Sequence, residues 1–117
     1  MKKIYYLKTC DTCKRILNEL QPLNGFTLQD IKEEEITVKQ LEEMHELSGS
    51  YESLFSKRAK LYKERDLKNE VLNENDYKGF ILEHYTFLKR PVIITEGQIF
   101  IGNSKNVVAA AKTAIHG

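Results

Sequence analysis

The chain reads as an α/β protein, a mixed four-stranded sheet with a helical insertion between its second and third strands. Three observations predict this. A strand-like run leads into a helical pattern and on to a second strand-like run, a crossover that normally gives parallel pairing. Residues 37–88 then carry apolar patterns of helical spacing. Near the end, Glu96-Gly97 joins two short apolar runs as a tight antiparallel hairpin, and one last helical pattern follows.

The first strand is the apolar, aromatic run 4–7. Cys13, Ile16, Leu17 and Leu20 recur at helical spacing until Pro22 stops them. After Gly25, residues 26–31 form the second strand. Thr37 and Gln40 make a capping-box pattern ahead of Val38, Leu41, Met44 and Leu47, with Gly49 as the stop signal. A short third helix is expected around 52–55. A fourth, capped by Asn73 or Asn75, carries Tyr77, Phe80, Ile81, His84 and Leu88 on one face. Val92–Thr95 and Gln98–Ile101 form the hairpin, and Asn103 or Ser104 caps a last helix with Val107, Val108, Ala111 and Ile115 on one side. No repeat, low-complexity tract or Pro/Gly-rich linker interrupts the pattern, so the expectation is a single domain over 1–117 with an insertion at about 37–88.

Bulk properties narrow the function classes. A length of 117 residues suffices for a core without metal or disulfide staples. Eighteen Lys and Arg against 17 Asp and Glu give a net charge of +1, so no global field favours nucleic acid or an anionic membrane, and an anion site has to be local. Lys8 interrupts the N-terminal apolar run far short of a signal-peptide core, and no stretch approaches a membrane span. The expected location is the cytoplasm and the expected state a monomer.

The chain has two cysteines, Cys10 and Cys13, in the stretch TCDTCKR at 9–15. In a reducing compartment such a pair is more often catalytic, redox-sensing or metal-binding than structural. Zinc would need His45, His84 or His116, and none stands at the usual spacing. A disulfide closing so small a loop removes little unfolded-state entropy. Thiol chemistry is therefore favoured. Cys10 falls before or at the first helical residue, where unpaired N–H groups and the helix dipole favour a thiolate. Cys13, one turn inside, suits the resolving role and equally reads as a small buried hydrophobe.

The leading CxxC, the second strand and the proline-led hairpin with its closing helix are similar to the thioredoxin-like fold. With CDTCKR, FSKRAKLYKE and KRPVI in that order, the chain resembles the arsenate reductase family of the glutaredoxin-coupled type, which also holds the Spx transcriptional regulators. The resemblance implies that Cys10 is the nucleophile and Cys13 or an external thiol the resolving group. It makes Arg58 and Arg90 the catalytic anion-binding arginines, whose planar forks suit an oxyanion. It also implies substrate contacts from Thr12 and from Pro91, with a cis bond before Pro91.

The implied activity is a thiol-dependent reduction of arsenate or of a disulfide or thiol-linked substrate. Glutathione, glutaredoxin or thioredoxin would be the reductant, with no bound cofactor or metal. One departure stands out. Arsenate-reducing members carry a further arginine just after the final strand, where this chain reads Gly102-Asn103-Ser104-Lys105. Lys105 offers charge there without a bidentate fork. Cys13 supplies a local second thiol, which makes a redox-active Cys10–Cys13 disulfide feasible. The alternative the resemblance implies is an Spx-like redox-sensing regulator that binds the RNA polymerase alpha subunit, with Gly49 at the contacting loop. His84 reads as a packed histidine, 32–35 as a solvated acidic loop, and Lys14 and Arg15 as an exposed helix face.

Overall fold

A computed structural model describes residues 1–117. Four strands form one sheet in the order β2-β1-β3-β4: β1 is Lys2–Tyr6, β2 Thr27–Asp30, β3 Val92–Thr95 and β4 Gln98–Ile101. The β1–β2 pair is parallel, with Ile4 opposite Leu28, and the β1–β3 and β3–β4 pairs are antiparallel. This is the mixed sheet expected, and the crossover through α1, Asp11–Glu19, imposes its parallel edge. The hairpin turn is Glu96-Gly97, both residues at positive φ (47° and 77°), the pairing that a two-residue turn matched to the twist of its strands requires.

The chain divides into two compact units, one made of Met1–Glu35 with Arg90–Gly117 and the other of Ile36–Lys89. In the first unit, Ile4 and Ile93 of the sheet pack with Ile16, Leu17 and Leu20 around α1. Val108 and Ala111 of α5, Lys105–His116, complete that cluster, with Tyr6, Phe26 and Phe100 at its margin. Ser104 caps α5 through a bond from the Val107 N–H at 3.2 Å. The strand ends differ slightly from expectation. Lys2 and Lys3 join β1 although charged, and their ammonium groups lie over the Phe26 and Tyr5 rings, 5.8 and 5.3 Å from the ring centres. Buried Gln29 of β2 is satisfied by donating to the Glu34 carbonyl at 3.1 Å.

In the second unit, α2 is Val38–Ser48, with both halves of the Thr37/Gln40 capping box formed and Gly49 left-handed at φ 87° as its C-cap. A 3₁₀ turn, Glu52–Leu54, replaces the short helix expected there. Two elements were not expected, α3 at Lys60–Glu64 and a 3₁₀ turn at Leu67–Asn69. Both are too short for an apolar period, and α3 buries no residue. The helix expected to run to Leu88 stops sooner. α4 is Glu74–Glu83, and His84 turns extended (φ −151°) so that its Nδ1 accepts the Thr86 N–H at 3.0 Å and starts a 3₁₀ turn at Tyr85–Phe87. Periodicity continued past the real end because 84 and 88 happen to keep the spacing. The unit's core is aromatic. Phe55, 1% exposed, stacks on Phe87 at 5.4 Å and lies 4.9 Å from Tyr77, 5.8 Å from Tyr62 and 6.1 Å from Phe80.

Asn73 caps α4 reciprocally: its side chain accepts the Asp76 N–H and its own N–H donates to the Asp76 carboxylate, each at 2.9 Å. Asn73→Ala removes one half of this box and should cost about 1 kcal/mol in urea unfolding. A change smaller than the error of that measurement would mean that water replaces the cap without loss.

Candidate active site at the start of the first helix

The β1 strand hands the chain to α1 through a tight turn in which the Cys10 N–H donates to the Leu7 carbonyl at 3.0 Å. Cys10 is the N-cap of α1, in extended conformation (φ −92°, ψ 114°), and its carbonyl accepts the Lys14 N–H at 3.1 Å. No side-chain oxygen closes this terminus. The backbone N–H groups of Cys13 and Thr12 are instead turned toward the Cys10 sulfur, where charge on it is favoured.

Both cysteines are free thiols, Cys10 partly exposed and Cys13 fully buried on the inner side of α1. Their environments drive the two thiols apart. Partial burial pushes Cys10 up, but the Cys13 N–H, the Cys13 thiol, the Arg90 guanidinium and the Thr12 N–H outweigh it, and its pKa lies below the ordinary thiol value. Burial pushes Cys13 up to about 11, and negative charge on Cys10 adds to that, against smaller lowering effects from the Leu7 backbone and Arg90. Near neutral pH the pair is therefore one thiolate-prone sulfur beside one protonated thiol. That is the division of labour needed for nucleophilic attack, with the second group in reserve.

Arg90 belongs to the same unit and acts electrostatically on both sulfurs. Pro91 follows it across a cis bond, is buried, and accepts the Gly102 N–H at 2.9 Å, which ties the entry of β3 to the end of β4. Thus Cys10, Thr12, Cys13 and Arg90 come together electrostatically within one unit. Arg58 belongs to the other unit, where it is exposed on the segment before α3 and takes no ion pair with its neighbours. Three basic residues near it in sequence are engaged: Lys57 with Glu52 at 3.0 Å, Lys60 with Glu64 at 3.8 Å, and Arg65 with Glu83 in a bidentate pair at 2.9 Å. Lys105 is exposed in the first turn of α5. Leu7 is the site residue that sequence reasoning missed. It acts through its backbone, and no side-chain signal marks such a role.

Replacing Arg90 tests the field. Arg90→Met removes the positive charge that favours the Cys10 thiolate, so the thiol pKa rises and the ionised fraction at pH 7 falls. Alkylation of Cys10 by iodoacetamide at pH 7 should slow roughly three- to tenfold, with Arg90→Lys largely restoring it. An unchanged rate would remove Arg90 from the account of the thiolate.

The ArsC family model matches residues 5–111, nearly the whole chain. The chain belongs to the ArsC family. It is 27% identical over 105 residues to the global transcriptional regulator Spx 2 of Bacillus anthracis, covering 87% of this chain and 79% of that one. It is also 30% identical over 115 residues to an uncharacterized protein of Haemophilus influenzae, covering 94% and 98%. Among solved structures, an arsenate reductase from Vibrio cholerae superposes with a TM-score of 0.77 at 20% identity, covering 93% of this chain and 95% of that one. This last likeness is one of fold, and it extends the thioredoxin-like description of ArsC structures to this sheet and its helices. No cluster of three or more His, Cys, Asp or Glu able to hold a metal ion occurs in this ArsC chain, and no helix is long and apolar enough to cross a membrane.

Proposed function

We propose that this ArsC-family protein is a thiol-dependent oxidoreductase with Cys10 as nucleophile. One observation carries the reading: a depressed thiol at the start of α1, beside Arg90 and a second, protonated thiol. Arsenate is the substrate that membership of the ArsC family suggests. The Cys10 thiolate displaces one oxygen of arsenate and forms a sulfur–arsenic bond. A second thiol then attacks the Cys10 sulfur. A disulfide forms, the sulfur–arsenic bond breaks with its electron pair left on arsenic, and arsenite departs. Two thiols are oxidised, pentavalent arsenic becomes trivalent, and the displaced oxygen leaves as water.

Arg90 would neutralise the oxyanion that must approach a thiolate of like charge, with Thr12 and Pro91 shaping the contact, and Arg58 is the further anion-binding arginine that the family resemblance suggests. The second thiol is Cys13 or an external one. Because Cys13 is buried and held protonated, an external thiol such as glutathione, or the thiol of a glutaredoxin or thioredoxin, is the faster resolving group near neutral pH. The same two steps serve a disulfide or other thiol-linked substrate. A cytoplasmic setting fits, since thiols are kept reduced there. Purified protein with arsenate, glutathione and glutaredoxin, or with thioredoxin, should consume NADPH through the coupled reductase. No consumption above a Cys10→Ala blank, with arsenate or with a model disulfide, would end the enzyme reading.

The identity to an Spx regulator favours a second reading, a redox-sensing regulator that docks on the RNA polymerase alpha subunit through the loop at Gly49. In that case a pull-down should retain the alpha subunit, and retention should change when Cys10 and Cys13 are oxidised to a disulfide. Failure to retain it in both redox states would remove this reading.

A further inference from the structure

We infer that reduced Cys10 and Cys13 act together as a two-sulfur chelate for trivalent arsenic, so that the site holds arsenite as a ligand and not only releases it. The inference rests on the reading of Cys10 as the exposed nucleophile of this site. Three observations lead to it. The chain's two thiols stand one helical turn apart, both free, and the Cys13 thiol is turned toward the Cys10 sulfur. Cys10 is partly exposed whereas Cys13 is fully buried, so a small electrophile anchored first on Cys10 is the one kind of reagent brought to Cys13 without opening the helix. No third His, Cys, Asp or Glu completes a metal cluster with the pair.

The ligand count excludes a closed zinc site, and the arsenic chemistry proposed for Cys10 supplies the guest. Zinc in a closed protein site takes four ligands, and this pair offers two. Trivalent arsenic is soft and thiophilic and forms a three-coordinate pyramid, so two protein sulfurs leave one position for a hydroxyl or an external thiol. The exchange balances without redox change: arsenous acid loses two hydroxyls, each leaving as water with a thiol proton, and two sulfur–arsenic bonds form. Each thiol delivers its proton in the exchange, so Cys13 can enter from its protonated form. The consequence is product retention. Arsenite bound across both sulfurs occupies the nucleophile of the reduced protein, and an external dithiol is needed to strip it.

The test uses fully reduced protein incubated with sodium arsenite and read by native mass spectrometry. The expected adduct is one arsenic per chain with a mass showing loss of two waters from arsenous acid, removed by a small dithiol. Cys13→Ser, which breaks the chelate, should weaken binding about tenfold or more. Cys13 is buried, and its replacement could disturb folding. A one-sulfur adduct that loses a further water has the same mass as the chelate, so excess glutathione on the unaltered protein decides. It fills one free arsenic position in the chelate and two in a one-sulfur adduct, and the second outcome overturns the inference. An adduct that has lost a single water, or no adduct, overturns the inference, and so does undiminished binding in a folded Cys13→Ser protein. The arsenate assay fails independently. Chelation without arsenate turnover would leave this inference standing and sink the arsenate reading, while turnover with a one-water adduct would do the reverse.

Discussion

Cys10→Ser should reduce turnover by at least about a thousandfold, with arsenate or with a model disulfide, while leaving the fold intact. The substitution keeps the size of the side chain and the extended N-cap conformation, and serine is itself a favoured N-cap residue. What it loses is the ionisable sulfur. A hydroxyl stays protonated under the same Thr12 and Cys13 N–H groups and the same Arg90 charge, and an oxygen cannot form the mixed disulfide through which electrons pass. Circular dichroism and thermal melting like those of the wild type, together with lost turnover, are the expected pair of results. Residual turnover within tenfold of the wild type would move the nucleophile elsewhere.

Phe55→Ala should destabilise the Ile36–Lys89 unit by about 3–5 kcal/mol. Phe55 is almost fully buried and contacts four aromatic rings, those of Tyr62, Tyr77, Phe80 and Phe87. Its backbone also bridges Leu88. Deletion of the ring removes its transfer free energy and leaves a cavity that rings fixed on α4 and the turns around it cannot close. Urea unfolding followed by tyrosine fluorescence measures the loss. A change under about 1 kcal/mol would mean that the cluster repacks and is not the centre of that unit's stability.

Much of this was legible in the sequence where local chemistry and long-range packing agree. The Thr37/Gln40 box, the Gly49 stop, the Glu96-Gly97 hairpin and the Ser104 cap act over a few residues, and each is found where it was read. The CxxC turn was legible for the same reason: a strand-like run, two thiols and a helical period leave few alternatives. The failures are equally local. α3 has five residues and no buried side chain, so hydrophobic periodicity cannot register it. At His84 a side chain satisfies the next turn's N–H and ends α4 against a period that continues. Arg90's effect on the sulfurs required chain segments some 80 residues apart to meet. That followed from the resemblance and not from any spacing. The unequal treatment of the two thiols was legible in direction, from the helix start at Cys10 and the apolar spacing of Cys13, but the extent to which burial holds Cys13 protonated depends on how deeply that face of α1 is covered.

The central claim is that the Cys10 thiol ionises more readily than an ordinary thiol while Cys13 stays protonated near neutral pH. Native reduced protein, alkylated with iodoacetamide across a pH series and digested for mass spectrometry, measures it directly. The account predicts a single modification, at Cys10, with a half-maximal rate at a pH below the ordinary thiol value of about 8.5, and no modification of Cys13 until the protein unfolds. Modification of Cys13 first, or a Cys10 midpoint at or above that ordinary value, would contradict it.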